Sequence, residues 1–208
     1  MSRENVDPAE LREDIETIKD AMGLEERYEG AAVLWLAFGG LVAVAAGLSQ
    51  YVFLAELSDW YHPVIWIGLL GGGGAVANRL VAGDDAGGWG SDDAPDPYLQ
   101  IAVVYAVSFP IVNIQQSLVD APRAVASAST LATIVVLIGA AYLVVGNTLK
   151  AYRIRTRDRY AFYGGGALMV ALGTVMPFVD ALLTWHYAAF GLAYLAYALA
   201  SYAVLART

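Results

Sequence analysis

The sequence predicts an all-α fold: a polytopic membrane bundle of six transmembrane helices, arranged as three hairpins, behind a short N-terminal cytoplasmic amphipathic helix. Three observations predict it. Of the 208 residues, 58% are hydrophobic and the mean hydropathy is +0.53, whereas a soluble domain is roughly 45–50% apolar. Six stretches are long and apolar enough to cross a hydrocarbon core of about 30 Å, which takes roughly 20 helical residues. Eleven of the twelve Lys and Arg residues fall on one side of the topology that those stretches define.

The first element is the helix of the N-terminal region, residues 1–29. Asp7 is placed as N-cap, Pro8 stands at the first helical position, Glu10 follows the cap by three residues, and Val6 can staple onto Leu11. Leu11, Ile15, Ile18 and Met22 then recur at spacings of four, three and four, a narrow apolar seam suited to helix pairing. Gly23 ends or bends the helix. The acidic flanks of the seam suit a protein surface better than anionic lipid headgroups. Its partner is another protein, a second copy, or this chain's own basic run Arg153 to Arg159.

The transmembrane domain takes residues 30–208. Its spans are Ala31 to Leu54, Tyr61 to Ala82, Leu99 to Leu118, Ala124 to Gly146, Tyr160 to Leu183 and Trp185 to Ala206. Polar breaks separate them: Glu56 to Asp59, Gly83 to Pro97, Asp120 to Arg123, and Lys150 to Arg159, with a tight break near Thr184. Short cytoplasmic loops collect Lys and Arg. With both termini inside, Arg3, Arg12, Lys19, Arg27, Arg79, Lys150, Arg153, Arg155, Arg157, Arg159 and Arg207 are cytoplasmic, and Arg123 alone is outside. The expected location is therefore the cell membrane, multi-pass.

The first thirty residues are densely charged and carry no apolar run of the kind a signal peptide needs, so the first span is expected to be an uncleaved anchor. With no cysteine, disulfides, thiolate metal sites, cysteine nucleophiles and palmitoylation are excluded. A net charge of −8 excludes nucleic acid as an expected partner. Acidic residues crowd the polar segments and Arg outnumbers Lys ten to two, a bias that resembles proteins of salt-loving archaea.

Small residues crowd the spans, among them Gly39, Gly40, Gly68, Gly71 to Gly74, Gly164 to Gly166 and Gly173. They let membrane helices approach closely. The run Gly71 to Gly74 lacks the Lys and Ser or Thr of a phosphate loop and lies in an apolar segment. At an offset of 125 residues, Phe38, Gly39, Gly40, Phe53, Leu57 and Trp60 align with Tyr163, Gly164, Gly165, Phe178, Leu182 and Trp185, a weak parallel repeat of the first hairpin in the last.

The third span is the most polar, through Ser108, Pro110, Asn113, Gln115 and Gln116. Such groups at lipid depth face the bundle or a watery cavity. A candidate cavity would join Asn113 and Gln116 to Asp180; the simpler reading is a proline kink satisfied by neighbouring amides, with Asp180 at the outer water boundary. Asp59, His62, Asp180 and His186 are the candidates for a metal or proton site, but without a fixed ligand spacing no metal is expected. Tyr187, Tyr194, Tyr197 and Ser201 recur near one face of the last span, where Tyr105 could meet them, and are expected to pack with their hydroxyls bonded between helices. Asp84, Asp85, Asp92, Asp93 and Asp96 have no calcium-loop spacing.

The segment from Leu11 to Leu48, with its Ile15, Ile18 and Met22 seam, Arg27-Tyr28, Trp35 and Gly39-Gly40, resembles small multi-spanning prokaryotic membrane proteins of unknown function that begin with a charged cytoplasmic helix and a Gly-rich first span. The resemblance implies that architecture and no particular activity. No Ser-His spacing, paired catalytic carboxylates, metal-ligand motif or cofactor motif is legible. The expectation is a non-enzymatic accessory, regulatory or scaffold subunit without a cofactor, in contact with membrane lipid and with a protein partner or further copies of itself. A small transporter or channel, with a polar path near the third and fifth spans, is the alternative.

Overall fold

The computed structural model describes residues 31–76, 97–118, 120–151 and 154–206. The docking seam of Leu11, Ile15, Ile18 and Met22, the acidic loop, and Arg79, Arg153 and Arg207 lie outside the described residues. The described residues are all-helical, without strands. In order they form α1 (Ala31–Leu54), α2 (Tyr61–Trp66) continuing into the π-helical turns Ile67–Gly73, α3 (Pro97–Leu118), α4 (Arg123–Thr148), α5 (Thr156–Val175), the 3₁₀ turn Met176–Phe178, and α6 (Asp180–Leu205). Among the described residues four helices are long and apolar enough to cross a membrane: α1, α4, α5 with the 3₁₀ turn, and α6.

The side-chain distribution is that of a membrane protein. Large apolar side chains face outward, including Val44 and Leu48 on α1, Val144 on α4, and Leu192, Leu199 and Val204 on α6. The interior combines Ala45, Ala46, Ala128, Ala132 and Ala198 with large side chains such as Trp35, Leu131, Met169 and Phe190. A soluble protein seldom exposes contiguous apolar surface on this scale.

Contacts between glycines and their neighbours fix how the helices run. A Cβ on Gly191 would come within 2.6 Å of the Ala46 Cβ, and one on Gly39 would overlap the Ala198 Cβ, so α1 and α6 are antiparallel. Gly139 faces Gly166, and Gly173 faces Ala132, which makes α4 and α5 an antiparallel hairpin. α3 packs on α4, and α2 with its π-helical turns packs on α1. One end of the bundle therefore carries Leu54, Arg123 and Asp180, and the opposite end carries Lys150, Thr156 and Leu205.

The turns follow from local chemistry. Glu56, with φ 52°, takes the left-handed conformation after α1, and Leu57 donates to the Val52 carbonyl at 3.0 Å, closing the helix end. The final break is not at Thr184 but at Met176–Val179, five residues earlier. Pro177 cannot continue the α-helical ladder, and Val179 is extended at φ −116° and ψ 116°. At Trp185 the chain only kinks, with φ −111° and ψ 23° inside α6.

Candidate functional site

Polar side chains converge at the Arg123 end, where α1, α2, α4 and α6 meet. The centre is the kink in α6. In an unbroken helix the Ala188 N–H would donate to the Thr184 carbonyl four residues earlier. Here the Gln50 amide of α1 inserts between them: Nε2 donates to the Thr184 carbonyl at 2.9 Å, and Oε1 accepts from the Ala188 N–H at 3.1 Å. One side chain thus satisfies both groups that the kink releases, and Gln50 is itself buried.

His186 follows the kink and is fully buried. Its Nδ1 lies 3.1 Å from the Leu183 carbonyl. A carbonyl only accepts, so this nitrogen carries the proton, and Nε2 accepts from the Ser127 hydroxyl of α4 at 2.9 Å. Phe53 stands edge-on to the His186 ring with centroids 4.7 Å apart, and His62 stacks on Tyr187 at 4.8 Å and 17°. In this cluster His62 Nδ1 is buried without a hydrogen-bond partner, as is the Ser49 hydroxyl on α1.

Arg123 covers the cluster. Its Nη2 donates to the Leu57 carbonyl at 3.1 Å and reaches Asp59 Oδ1 at 3.4 Å, and its guanidinium carbon lies 5.7 Å from the Phe53 ring centroid. The two side chains of this ion pair are 42% and 80% exposed, so its contribution falls in the range of about 0–1 kcal/mol typical of surface pairs. Asp59→Asn is expected to shift thermal unfolding in detergent by no more than that, and high salt is expected to erase the difference.

The site residues anticipated from the sequence divide between two places. On α3, Gln116 donates to Thr130 at 3.3 Å, while Gln115 and Gln100 accept from Thr133 and Thr148 at 2.7 and 3.0 Å. These bonds form a polar seam between α3 and α4. Asn113 is exposed on α3, and Asp180 is exposed as the first residue of α6, where a carboxylate complements the helix dipole. α3 has its packing on α4 and not on α6, so Asp180 is not brought to Gln116. Among the described residues no three His, Asp or Glu side chains gather as a metal site.

The tyrosines of α6 meet the opposite half of the core. Tyr194 and Tyr142 pair through their hydroxyls at 2.7 Å, and Tyr197 donates to the Ala161 carbonyl at 2.6 Å. Trp35 stands edge-on to Tyr142, Phe162 and Tyr197, with centroids 5.4 to 5.8 Å apart.

Sequence reasoning missed Gln50 and Ser127. A signal existed for the first, because Ser49 and Gln50 interrupt an otherwise apolar α1. None existed for the second, since Ser127 is one of several small hydroxyl residues on α4 and its histidine lies 59 positions away. Comparison of the chain with known protein families, characterised proteins and solved structures gives no match.

Proposed function

We propose that the chain is a six-span cell-membrane protein with both termini cytoplasmic, acting by assembly as an accessory, regulatory or scaffold subunit. The observation that carries the assembly reading is the uneven use of glycine. Gly39, Gly139, Gly146, Gly166, Gly173 and Gly191 lie against neighbouring helices. Gly68, Gly71 and Gly72, on the second helix, face open space beside the exposed Val64 and Ile67. Gly73 and Gly74 of the same helix pack on Leu41 and Phe38 of α1, so the open glycines lie on its outward face, where small residues allow another helix to approach closely.

Orientation rests on the antiparallel packing. It gathers Lys150, Arg155, Arg157 and Arg159 with the C-terminal end of α6, and it puts Arg123 at the opposite end, in keeping with the positive-inside bias. The N-terminal helix supplies the docking element through Leu11, Ile15, Ile18 and Met22.

The test is an affinity pull-down from native membrane using the full chain and a chain lacking Met1 to Glu29. Loss of a co-purifying protein on truncation is the expected result. An identical set of proteins from both chains would contradict docking by the N-terminal helix.

A further inference from the structure

We propose that Ser127 and His186 form a nucleophile and base that cleave lipophilic carboxylic esters at the Arg123 end of the bundle. The proposal goes beyond the assembly reading and departs from the non-enzymatic expectation, which rested on the docking seam, the small-residue packing and the lack of any legible catalytic constellation.

Three features carry it. The serine hydroxyl donates to His186 Nε2 at 2.9 Å, the contact that activates a serine nucleophile. The opposite ring nitrogen donates to the Leu183 carbonyl at 3.1 Å, which fixes the tautomer that leaves Nε2 free to take a proton. The Gln50 clamp holds the kink that aims His186 toward α4.

Position selects the substrate class. Ser127 is only half-buried and lies one turn into α4 from Arg123, about 6 Å along the axis at 1.5 Å per residue. The headgroup layer on each face of a bilayer is about 5–7 Å thick. With Arg123 among the headgroups, Ser127 stands where an ester of mixed polarity partitions. An ester is favoured over an amide because His186 is oriented by a neutral carbonyl, which stabilises an imidazolium less than a carboxylate does.

In the reaction, Ser127 Oγ bonds to the ester carbonyl carbon as its proton passes to His186 Nε2. The tetrahedral intermediate breaks its bond to the alcohol oxygen, which leaves with that proton. Water from the aqueous phase then adds to the acyl-serine while His186 takes its proton. Collapse releases the carboxylic acid, and the proton returns to Ser127.

The experiment treats the full chain, reconstituted in vesicles, with an alkyl fluorophosphonate and locates the adduct by mass spectrometry, alongside hydrolysis of a medium-chain p-nitrophenyl ester. Expected are an adduct on Ser127 at least tenfold faster than on the neighbouring Ser129, ester hydrolysis lost in Ser127→Ala, and labelling at least tenfold slower in His186→Asn with helix content unchanged. Absence of an adduct on Ser127 in the folded wild-type chain, or a rate equal to that of Ser129, would overturn the proposal even if His186→Asn fails to fold. The pull-down separates the two readings, since Ser127→Ala is expected to keep every partner that the wild-type chain holds.

Discussion

Gly191→Ala is expected to destabilise the bundle by about 1–3 kcal/mol, the usual cost of an extra methyl group in a packed core. The added Cβ would stand 2.6 Å from the Ala46 Cβ, with the α1 backbone at Ala43 3.5 Å away. Neither neighbour is the end of a flexible side chain, so the strain can be relieved only by moving α1 away from α6. Gly39→Ala meets Ala198 in the same way at the other end of the seam, and the double variant is expected to separate the two helices. Gly40→Ala and Gly47→Ala are the controls. A Cβ at either position meets nothing within 4 Å, so both variants are expected to unfold close to wild type in detergent. Equal losses in all four single variants would show that close approach of α1 and α6 is not what these glycines provide.

Gln50→Leu is expected to have an effect of similar or larger size by a different route. The substitution keeps the side-chain bulk but removes the amide from between the Thr184 carbonyl and the Ala188 N–H. A buried polar group left unsatisfied costs about 1–3 kcal/mol, and two are exposed here unless α6 straightens to pair them with each other. Straightening would rotate the start of α6 and draw His186 away from Ser127. The variant is therefore expected either to lose about 2 kcal/mol or more in unfolding free energy or to remain stable with the kink abolished. Amide exchange at Ala188 distinguishes the two results. A stable variant with the kink retained would show that Gln50 does not hold it.

The fold was legible where composition and periodicity decide it. Long apolar runs mark α1, α4, α5 and α6, and their polar ends come close to the observed ends. The last break was misplaced because Thr184-Trp185-His186 looks polar, whereas Pro177 and the extended Val179 make the actual turn. The site was less legible. Gln50 acts on backbone groups 134 and 138 positions away, and Ser127 meets His186 across 59 positions because α4 and α6 pack against each other. No local spacing records such a register. The glutamines of α3 stood out in the sequence as polar groups at lipid depth, but their threonine partners on α4 did not, since a threonine in a membrane helix is unremarkable until a donor or acceptor faces it.

The proposed topology has the bundle crossing a membrane with its Lys150 end inside and its Arg123 end outside. The chain has no cysteine of its own, so single introduced cysteines report accessibility without background. Ser58→Cys, in the turn beside Arg123, and Thr156→Cys, at the start of α5, sit at opposite ends. A membrane-impermeant maleimide applied to intact cells is expected to label the first and spare the second, with both labelled after the membrane is opened. Labelling of Thr156→Cys from outside intact cells would contradict it.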